Sequence, residues 1–539
     1  MRLFTTVAAL RCYLERRRMA LLCQTSLTDK QLLLSAERTV GQTSDCPATT
    51  VGLVPTMGAL HQGHLSLISR ARPENAIVIV SIFVNPLQFG PQEDFQRYPR
   101  TLEQDKQICE HAGVDAIFAP TPEELGIGVM DLGVTQVIPP SGMMSVLCGS
   151  SRIGHFQGVA TIVSKLFNLV QPDRAYFGQK DGQQLAIIRR LVADLNFPVE
   201  IVACPTLREP SGLAMSSRNQ YLTDEEKEQA TVLYRGLQQA EAVFKAGERS
   251  AKQLIATVQQ KVATVSAISV EYVELVDPLT LMPLETVQEE GMLAIAGRLG
   301  STRLIDNVIL RDRAPVIAID GPAGAGKSTV ARLVAAQLGI IYLDTGAMYR
   351  AVTWLVLQSG IALDDVCAIA ELANQCEIQL TLCDDLQNPT QVWINGKNIT
   401  QEIRGIEVTS KVSAIAAIGA IRQALVKQQQ RWGQKGGLVA EGRDIGTHVF
   451  PDAEVKIFLT ASVSERARRR QQDFKNQGLA EVSLEQLERD IAERDWKDST
   501  RKVSPLQKAA DAIEINTDGL SIEEVIAQIV NCYHECLSK

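Results

Sequence analysis

Short apolar runs alternate with stretches of helical periodicity along most of the chain, which predicts a parallel α/β fold. Near the start, TTVGLVPT has the composition of a buried strand, HLSLISRAR begins a helix, and AIVIVSIFV forms the next strand. Much further along, PVIAIDGPAGAGKSTVARLVAAQLG repeats the order of strand, glycine turn and helix. Because the two turns share no motif, the pattern indicates two unrelated enzymes fused in one chain rather than a repeat.

A change from apolar to charged residues marks the predicted joint between the two enzymes. In NVILRDRAPVIAID, the apolar strand ending at Leu310 is followed by the charged residues 311–313 and then by Pro315. Exposed linkers of this composition commonly separate domains. We therefore predict one domain over residues 1–310 and a second over residues 311–539.

Further divisions are predicted inside the first domain. Turn residues cluster over residues 204–212 and separate a nucleotide-binding subdomain, residues 1–204, from a C-terminal subdomain, residues 205–310. Residues 24–50 are polar and weakly periodic, so a mobile insertion is expected at about residues 19–50. The preceding Arg-rich stretch LRCYLERRRMALL fits either a transit peptide or a first helix with a solvated basic face. We adopt the helix, placed after a short strand in RLFTTV.

The overall composition narrows the classes of function. The chain of 539 residues has a net charge of −8 and a pI near 5.5, which argues against binding to nucleic acid. It contains no run of about 18 apolar residues, so no membrane partner is expected. Its 11 cysteines are scattered and include no C-x-x-C pair, a usage typical of free thiols in a reducing compartment. We therefore expect a cytoplasmic enzyme.

The second domain opens with a predicted phosphate-binding loop. The stretch from Gly321 to Ser328 fits G-x-x-x-x-G-K-[ST], follows a strand and begins a helix, which is the context that motif requires. Backbone N–H groups and the helix dipole favour phosphate there, Lys327 is expected to act catalytically on the β- and γ-phosphates, and Ser328 to hold Mg²⁺. A purely structural glycine turn is the alternative. The predicted ATP-binding residues are Gly321, Pro322, Ala323, Gly324, Ala325, Gly326, Lys327, Ser328 and Thr329.

From about Pro315 to its end the chain resembles bacterial cytidylate kinase, on the motifs YLDTGAMYRAV, LVAEGRDIGTHVFPDAEVKIFL, SERARRRQQ and AERDWKDSTR. The resemblance implies a P-loop nucleoside monophosphate kinase that phosphorylates CMP or dCMP with MgATP. It implies a small strand insertion in QLTLCDDLQNPTQVWINGKNIT and a lid over ATP at residues 466–470, for which a solvated helix face is the alternative. The implied CMP-binding residues are Asp344, Thr345, Arg422, Arg443, Asp444, Arg494 and Arg501.

Two of the six histidines, His61 and His64, lie in PTMGALHQGHLSLI at the first glycine turn. Three roles are open to them. A metal site needs three or four ligands, and no Cys, Asp or Glu stands close to the pair in sequence. Packing alone seldom places two polar rings beside Gly58 and Gly63 at such a turn. Two imidazoles at a helix start can also donate hydrogen bonds to a phosphate under in-line attack.

The H-x-G-H turn resembles the HIGH motif of the nucleotidyltransferase superfamily. Its companions SIFVNPLQF, RYPRTL, GHFQGVATIVSKLFNLVQPD, FGQKDGQQ, MSSRNQYL and TRLIDN narrow the resemblance to pantothenate synthetase over almost all of residues 51–310. The resemblance implies a Rossmann-like nucleotidyltransferase fold with a small C-terminal α+β subdomain. It also implies ATP-dependent condensation of pantoate with β-alanine through pantoyl adenylate, giving pantothenate, AMP and diphosphate.

The same resemblance supplies candidate residues for this first site. Those implied as catalytic are His61, His64, Lys180, Ser216, Ser217 and Arg218. The implied ATP-binding set adds Met57, Gly58, Ala59, Leu60, Gln62, Gly63, Gly178, Gln179, Asp181, Leu207 and Met215. Those implied to bind pantoate or β-alanine are Gln88, Gln184 and Asn85. The family usually has Glu at the position of Gln179 and Pro at that of Ile153, and we expect both departures to be peripheral to the chemistry.

The combined expectation is a pantoate–β-alanine ligase fused to a CMP kinase, both using ATP with Mg²⁺. A homodimer through the first domain is implied by the pantothenate synthetase resemblance. One alternative is transfer of a nucleotidyl group to form a stable conjugate, and β-alanine-dependent release of AMP distinguishes it. The other alternative is that one half is a silent regulatory or oligomerising module, which turnover by both halves would exclude.

Overall fold

The computed structural model describes residues 1–32, 50–90, 93–128, 133–382, 390–476, 482–500, 506–509 and 511–538. The chain divides into two compact units, Met1–Asp312 and Arg313–Lys539. Among the helices in these ranges, none is long and apolar enough to cross a membrane.

The first unit contains a parallel sheet with helices on both faces, followed by an antiparallel sheet. Its strands are β1 (Arg2–Phe4), β2 (Val51–Thr56), β3 (Ile77–Ile82), β4 (Ala116–Phe118), β5 (Arg174–Gly178), β6 (Glu200–Cys204), β7 (Ile268–Val276), β8 (Glu290–Leu299) and β9 (Thr302–Arg311). Its helices are α1 (Val7–Leu32), α2 (Gln62–Glu74), α3 (Leu102–His111), α4 (Ser141–Met144), α5 (Cys148–Ser151), α6 (His155–Val170), α7 (Gly182–Asp194), α8 (Asp224–Ala230), α9 (Val232–Lys245) and α10 (Ala251–Val262).

The parallel sheet has six strands in the order β1-β4-β3-β2-β5-β6. Strand β3 reads IVIVSI and is buried at its first five positions, as expected where both faces of a sheet are covered. One hydrophobic cluster joins the sheet to α1 and α6 through Leu10, Leu14 and Phe167, and another joins it to α2 through Leu67 and Ile68. Because the strands are parallel, the turns after β2 and β5 leave the same edge of the sheet.

The antiparallel sheet of the first unit, β7-β8-β9, packs on α9 and α10. Arg208, in the loop that follows β6, donates two hydrogen bonds to the carboxylate of Asp306 on β9, at 2.6 and 2.9 Å. Asp306 is 5% exposed, so this ion pair fixes the loop to the second sheet from a largely buried position.

The second unit is built on another parallel sheet, of five strands in the order β11-β15-β10-β16-β17. The strands of the unit are β10 (Val316–Asp320), β11 (Ile341–Asp344), β12 (Ile378–Leu382), β13 (Thr390–Ile394), β14 (Lys397–Asn398), β15 (Leu438–Gly442), β16 (Val455–Thr460) and β17 (Ile513–Asn516). The helices are α11 (Lys327–Leu338), α12 (Thr345–Ser359), α13 (Val366–Gln375), α14 (Ile406–Ala416), α15 (Gly419–Gln434), α16 (Val463–Asn476), α17 (Leu484–Thr500) and α18 (Ile522–Ser538).

These elements confirm the predicted α/β class and its local pattern. Strands β12, β13 and β14 form the small antiparallel sheet expected from the strand insertion. The N-terminal strand and helix are also present: β1 pairs with β4, and Leu10 and Leu14 of α1 are at most 2% exposed. Helix α1 continues to Leu32 and therefore includes the first part of the segment predicted as a mobile insertion. The remaining part, residues 33–49, lies outside the described residues.

Candidate active sites

A cavity of about 560 Å³ opens in the first unit, where the turns after β2 and β5 meet the loop that follows β6. Residues predicted from distant stretches of sequence come together in its wall. Those that line it are Met57, His61, Gly63, His64, Asn85, Gln88, Gly178, Lys180, Asp181, Gln184, Leu207, Met215, Ser216, Ser217 and Arg218.

The two histidines of this cavity cap helix α2 reciprocally. The N–H of Gly63 donates to Nδ1 of His61 at 3.1 Å, and the N–H of His61 donates to Nδ1 of His64 at 3.3 Å. Burial and the positive charge of Lys180 lower the pKa of His61 to about 4. Burial, His61 and Lys180 lower the pKa of His64 to about 3. Both rings are therefore neutral near pH 7, and with Nδ1 accepting, each carries its proton on Nε2 as a hydrogen-bond donor.

The positive charge that acts on both histidines is that of Lys180. Burial lowers the pKa of its ammonium from the usual value, and Asp181 opposes that shift. Among the described residues, none forms a hydrogen bond or ion pair with this ammonium. The backbone carbonyls of Gln179 and Lys180 accept hydrogen bonds from the Asn307 side chain on β9, at 3.0 and 2.8 Å, which fixes the turn that carries Lys180.

Gly58, Ala59, Leu60, Gln62 and Gln179, also predicted to bind ATP, do not line the cavity. The N–H groups of Ala59 and Leu60 donate to the carboxylate of Asp105, at 3.0 and 2.8 Å. Asp105 on α3 is 1% exposed, and it holds the turn in the shape that presents the histidines. The Ser217 hydroxyl donates to the Ala59 carbonyl at 3.1 Å, so the two predicted phosphate loops are in direct contact.

The side-chain amide of Asn85 forms hydrogen bonds with neighbouring protein groups. Its Nδ2 donates to Oε1 of Gln88 and to the Gly158 carbonyl, both at 3.1 Å, and its Oδ1 accepts from the N–H of Leu87 at 3.0 Å. Asn85 is 1% exposed. These bonds orient Gln88, whose Nε2 donates in turn to Sδ of Met57 at 2.8 Å. Gln88 and Gln184 both line the cavity.

In the second unit the predicted phosphate loop connects β10 to α11. Gly321 has a φ of +147°, and a Cβ there would meet the Leu459 carbonyl oxygen at 2.1 Å, so the loop requires glycine at this position. The Lys327 ammonium donates to the Pro322 carbonyl within the same loop at 2.7 Å. Burial and the charge of Arg443 lower the pKa of Lys327 well below its usual value. The residues of the motif therefore form one loop with the lysine folded across it.

Three carboxylates stand at the carboxyl ends of adjacent strands beside this loop. Glu441 on β15 accepts hydrogen bonds from the Ser328 hydroxyl at 2.9 Å and from the Tyr342 hydroxyl at 2.5 Å. Burial and the charge of Asp344 raise the pKa of Glu441. Asp320 at the end of β10 accepts from the N–H groups of residues 445 and 446, at 2.8 and 2.7 Å. Burial raises the pKa of Asp320 to about 6.

Several described members of the predicted CMP-binding set contact one another or Glu441. Arg422, which is 3% exposed, forms an ion pair with Asp444. The Arg443 guanidinium pairs with Asp498 on α17 at 2.8 Å, and its positive charge lowers the pKa of Arg494 after the larger effect of burial. Thr345 donates to the Glu441 carbonyl at 2.7 Å. Arg501 lies outside the described residues.

In the segment resembling a lid, Arg466 acts as an anchor. It is 4% exposed, donates to the Ala323 carbonyl of the phosphate loop at 3.0 Å, and pairs with Asp495 on α17. Arg468 is the solvated member, with 73% of its side chain exposed. The arginine run therefore combines one structural residue with an exposed surface.

Sequence reasoning missed several residues that shape these sites. In the first unit they are Glu93, Asp94, Tyr98, Asp105, Arg152 and Asn307. In the second they are Asp320, Arg350, Glu441 and Asp498. Asp498 follows Arg494 by one helical turn, so helical spacing gave a signal for it. The contacts of Asp105 and Asp320 join distant segments and left no local signal.

Among the described residues, no group of three or more His, Cys, Asp and Glu side chains is arranged to hold a metal ion. The ligands offered at the phosphate loop are instead single hard oxygens, those of Ser328 and Glu441, which suit an Mg²⁺ ion that keeps most of its ligands from water and phosphate.

Comparison with known proteins assigns both units. Residues 32–309 match the family model of pantoate-beta-alanine ligase, and residues 317–535 match that of cytidylate kinase. A bifunctional pantoate ligase/cytidylate kinase of Trichormus variabilis is 73% identical over all of both chains, and one of a Nostoc species is 72% identical over all of both chains. The crystal structure of pantothenate synthetase from Thermus thermophilus is 43% identical, with a TM-score of 0.48, and covers 57% of this chain and 99% of its own. The chain belongs to the family of bifunctional pantoate ligase/cytidylate kinases.

Proposed function

We propose that the first unit joins pantoate to β-alanine and the second phosphorylates CMP, each at the site described above. One observation supports the ligase site: neutral imidazole donors, an ammonium and a hydroxyl-rich turn line the same cavity. These groups are His61, His64, Lys180, Ser216, Ser217 and Arg218. The kinase site is supported by the position of the loop around Lys327, beside the carboxylates of Asp320 and Glu441.

The first ligase step is attack of a pantoate carboxylate oxygen on the α-phosphorus of ATP. A phosphorus–oxygen bond forms as the bond to the bridging oxygen of diphosphate breaks, which gives pantoyl adenylate. Negative charge grows on the α-phosphate oxygens, where Nε2–H donors of His61 and His64 and the Lys180 ammonium stabilise it. Arg218 with its adjacent serines holds the diphosphate as it leaves.

The second ligase step is attack of the β-alanine amine on the activated carbonyl carbon. The amide bond forms, the carbon–oxygen bond to AMP breaks, and the amine nitrogen loses a proton. Gln88 and Gln184 bind pantoate through their amides, and Gln88 also faces β-alanine. Asn85 acts through Gln88, because Asn85 is 1% exposed and its Nδ2 donates to Oε1 of the more exposed Gln88.

In the kinase step a phosphate oxygen of CMP, or of dCMP, attacks the γ-phosphorus of ATP, and ADP leaves. Lys327 binds the β- and γ-phosphates, while arginines at positions 422, 443 and 494 neutralise and orient the acceptor. Ser328 would hold Mg²⁺, which when bound with ATP offsets the charge of the phosphates. The Ser328–Glu441 hydrogen bond supports this assignment, because both groups offer oxygen ligands.

We propose Mg²⁺ with ATP at both sites, a cytoplasmic location and a homodimer formed through the first unit. The cysteines whose surroundings are described all have free thiols, which supports a reducing compartment. The homodimer rests on the family resemblance, and light scattering on the full chain measures it directly.

The proposed function is tested by following nucleotides with and without each acceptor. With MgATP, pantoate and β-alanine, AMP should rise one-for-one with pantothenate. With MgATP and CMP, ADP and CDP should rise together. Consumption of ATP that gives diphosphate but releases no free AMP when β-alanine is added would favour a stable nucleotidyl conjugate instead.

A further inference from the structure

Two consecutive acidic residues, Glu93 and Asp94, each hold one arginine of the ligase cavity. Glu93 accepts two hydrogen bonds from Arg152, at 2.7 and 2.6 Å. Asp94 accepts two from Arg218, at 2.8 and 2.9 Å. All four side chains line the cavity. A guanidinium held by two parallel bonds has a defined plane as well as a defined position.

The two arginines serve different parts of the cavity. Arg152 donates to Nε2 of His155 at 3.0 Å and to the Gln88 carbonyl at 3.3 Å. His155 bonds the same Gln88 carbonyl through Nδ1 at 2.7 Å. Since a carbonyl only accepts, Nδ1 carries the proton and Nε2 accepts from Arg152. Burial and the charge of Arg152 lower the pKa of His155 to about 4, which keeps this ring neutral.

Asp94 acts instead on the turn proposed to bind diphosphate. Arg218 lies in that turn, and its guanidinium carbon is 5.8 Å from the centre of the Tyr98 ring. Burial opposes ionisation of Asp94, but the hydrogen bonds and charge of Arg218 outweigh it and lower the pKa of Asp94. Glu93 behaves alike: its pKa is lowered by Arg152 against the effect of burial. Both acids are therefore charged near pH 7.

We propose that Glu93 and Asp94 are positioning residues with separate tasks: Glu93, through Arg152, sets Gln88 for pantoate and β-alanine, and Asp94 sets Arg218 for ATP. This rests on the proposed ligase function. The acids touch no substrate in this account, and their effect is exerted through the two arginines. Two consecutive residues thus orient both arginines.

The test compares Glu93→Gln and Asp94→Asn in the full chain by initial rates of pantothenate formation. Loss of orientation typically costs about tenfold to a hundredfold in rate. We expect Asp94→Asn to lower kcat/KM for ATP about tenfold and to leave KM for pantoate and β-alanine within about twofold. Glu93→Gln should show the reverse pattern. Glu103→Gln is the matched control, because Glu103 is an acid of the same unit with 80% of its side chain exposed.

The outcomes separate this proposal from the proposed function. Failure of the unaltered chain to make pantothenate would contradict the ligase function itself. An active unaltered chain in which both variants impair the same substrate, or in which either behaves like Glu103→Gln, would overturn the division of tasks. If a neutral variant unfolds the first unit, Glu93→Asp and Asp94→Glu replace it, because both keep the charge. Each should retain most of the activity and impair the same substrate as the neutral variant at that position, by a smaller factor. Equal effects on all substrates would then overturn it.

Discussion

Nδ1 of His64 accepts the backbone N–H of His61, while Nδ1 of His61 accepts that of Gly63, so one helix start fixes both imidazoles in the same tautomer. The ring centres are 4.1 Å apart. A neutral, Nε2-protonated pair can donate two hydrogen bonds to one phosphate without adding positive charge of its own. The positive charge is supplied by Lys180.

This arrangement predicts the protonation state of three of the chain's histidines. At pH 7, His61 and His64 should be neutral with the proton on Nε2, whereas His155 should carry it on Nδ1. Proton–nitrogen correlation spectra of the imidazoles, assigned with single His→Asn variants, measure this directly. Titration of either His61 or His64 near pH 6.5 would contradict the burial argument.

The same low pKa values make the first unit sensitive to acid. A histidine has a pKa of about 6.5 in an unfolded chain, so between that pH and the folded values of about 4 and 3 the unfolded state binds more protons. The free energy of unfolding should therefore fall as pH decreases from about 6.5 towards 4. His64→Gln should reduce this slope. All four tryptophans lie after residue 312, so tryptophan fluorescence follows the second unit while circular dichroism follows both. An unchanged slope in His64→Gln would contradict the assignment.

Gly158 on α6 should prove necessary for placing Gln88. A Cβ at Gly158 would meet the Leu87 carbonyl oxygen at 2.3 Å and the Gln88 nitrogen at 2.8 Å. Overpacking of this kind costs about 1–3 kcal/mol. We expect Gly158→Ala to lower pantothenate synthesis while CMP phosphorylation persists. Gly142→Ala is the control, because no atom lies within 4 Å of a Cβ there; equal effects of the two changes would contradict the steric argument.

Asp320 should affect the use of CMP, the phosphate acceptor of the kinase, more than the use of ATP. Its carboxylate holds the N–H groups that directly follow Arg443 and Asp444. In Asp320→Asn one of these N–H groups faces an amide donor, and an unmatched buried group costs about 1–3 kcal/mol. We expect kcat/KM for CMP to fall about tenfold, with a smaller change in KM for ATP. A larger effect on ATP than on CMP would show that Asp320 serves the phosphate loop instead.

The parts of the molecule that the sequence predicted are those with a local signal. Alternating apolar runs predicted the strands and helices, and the glycine-rich turn before Lys327 predicted one phosphate loop from spacing alone. The family, the fold class and both activities followed from motifs and are confirmed by the comparisons. The residues assigned to bind ATP, pantoate or CMP remain predictions.

The features that escaped prediction depend on contacts between distant segments. Arg218 meets Asp94 from 124 positions away, and the N–H of residue 445 meets Asp320 from 125. Neither pairing follows from periodicity, because it is set by which loops the parallel sheet brings to one edge. Polar composition predicts an insertion from about residue 19 and gives no signal for the continuation of α1 to Leu32.

The most direct test of two independent active sites compares His64→Ala and Lys327→Ala in the full chain, each supplied with MgATP, pantoate, β-alanine and CMP. Chromatography of the nucleotides separates AMP, the ligase product, from ADP and CDP, the kinase products. His64→Ala should lose AMP and pantothenate by about a hundredfold or more and keep CDP, and Lys327→Ala should do the opposite. Loss of both product sets in either variant, with both units still folded, would contradict the account.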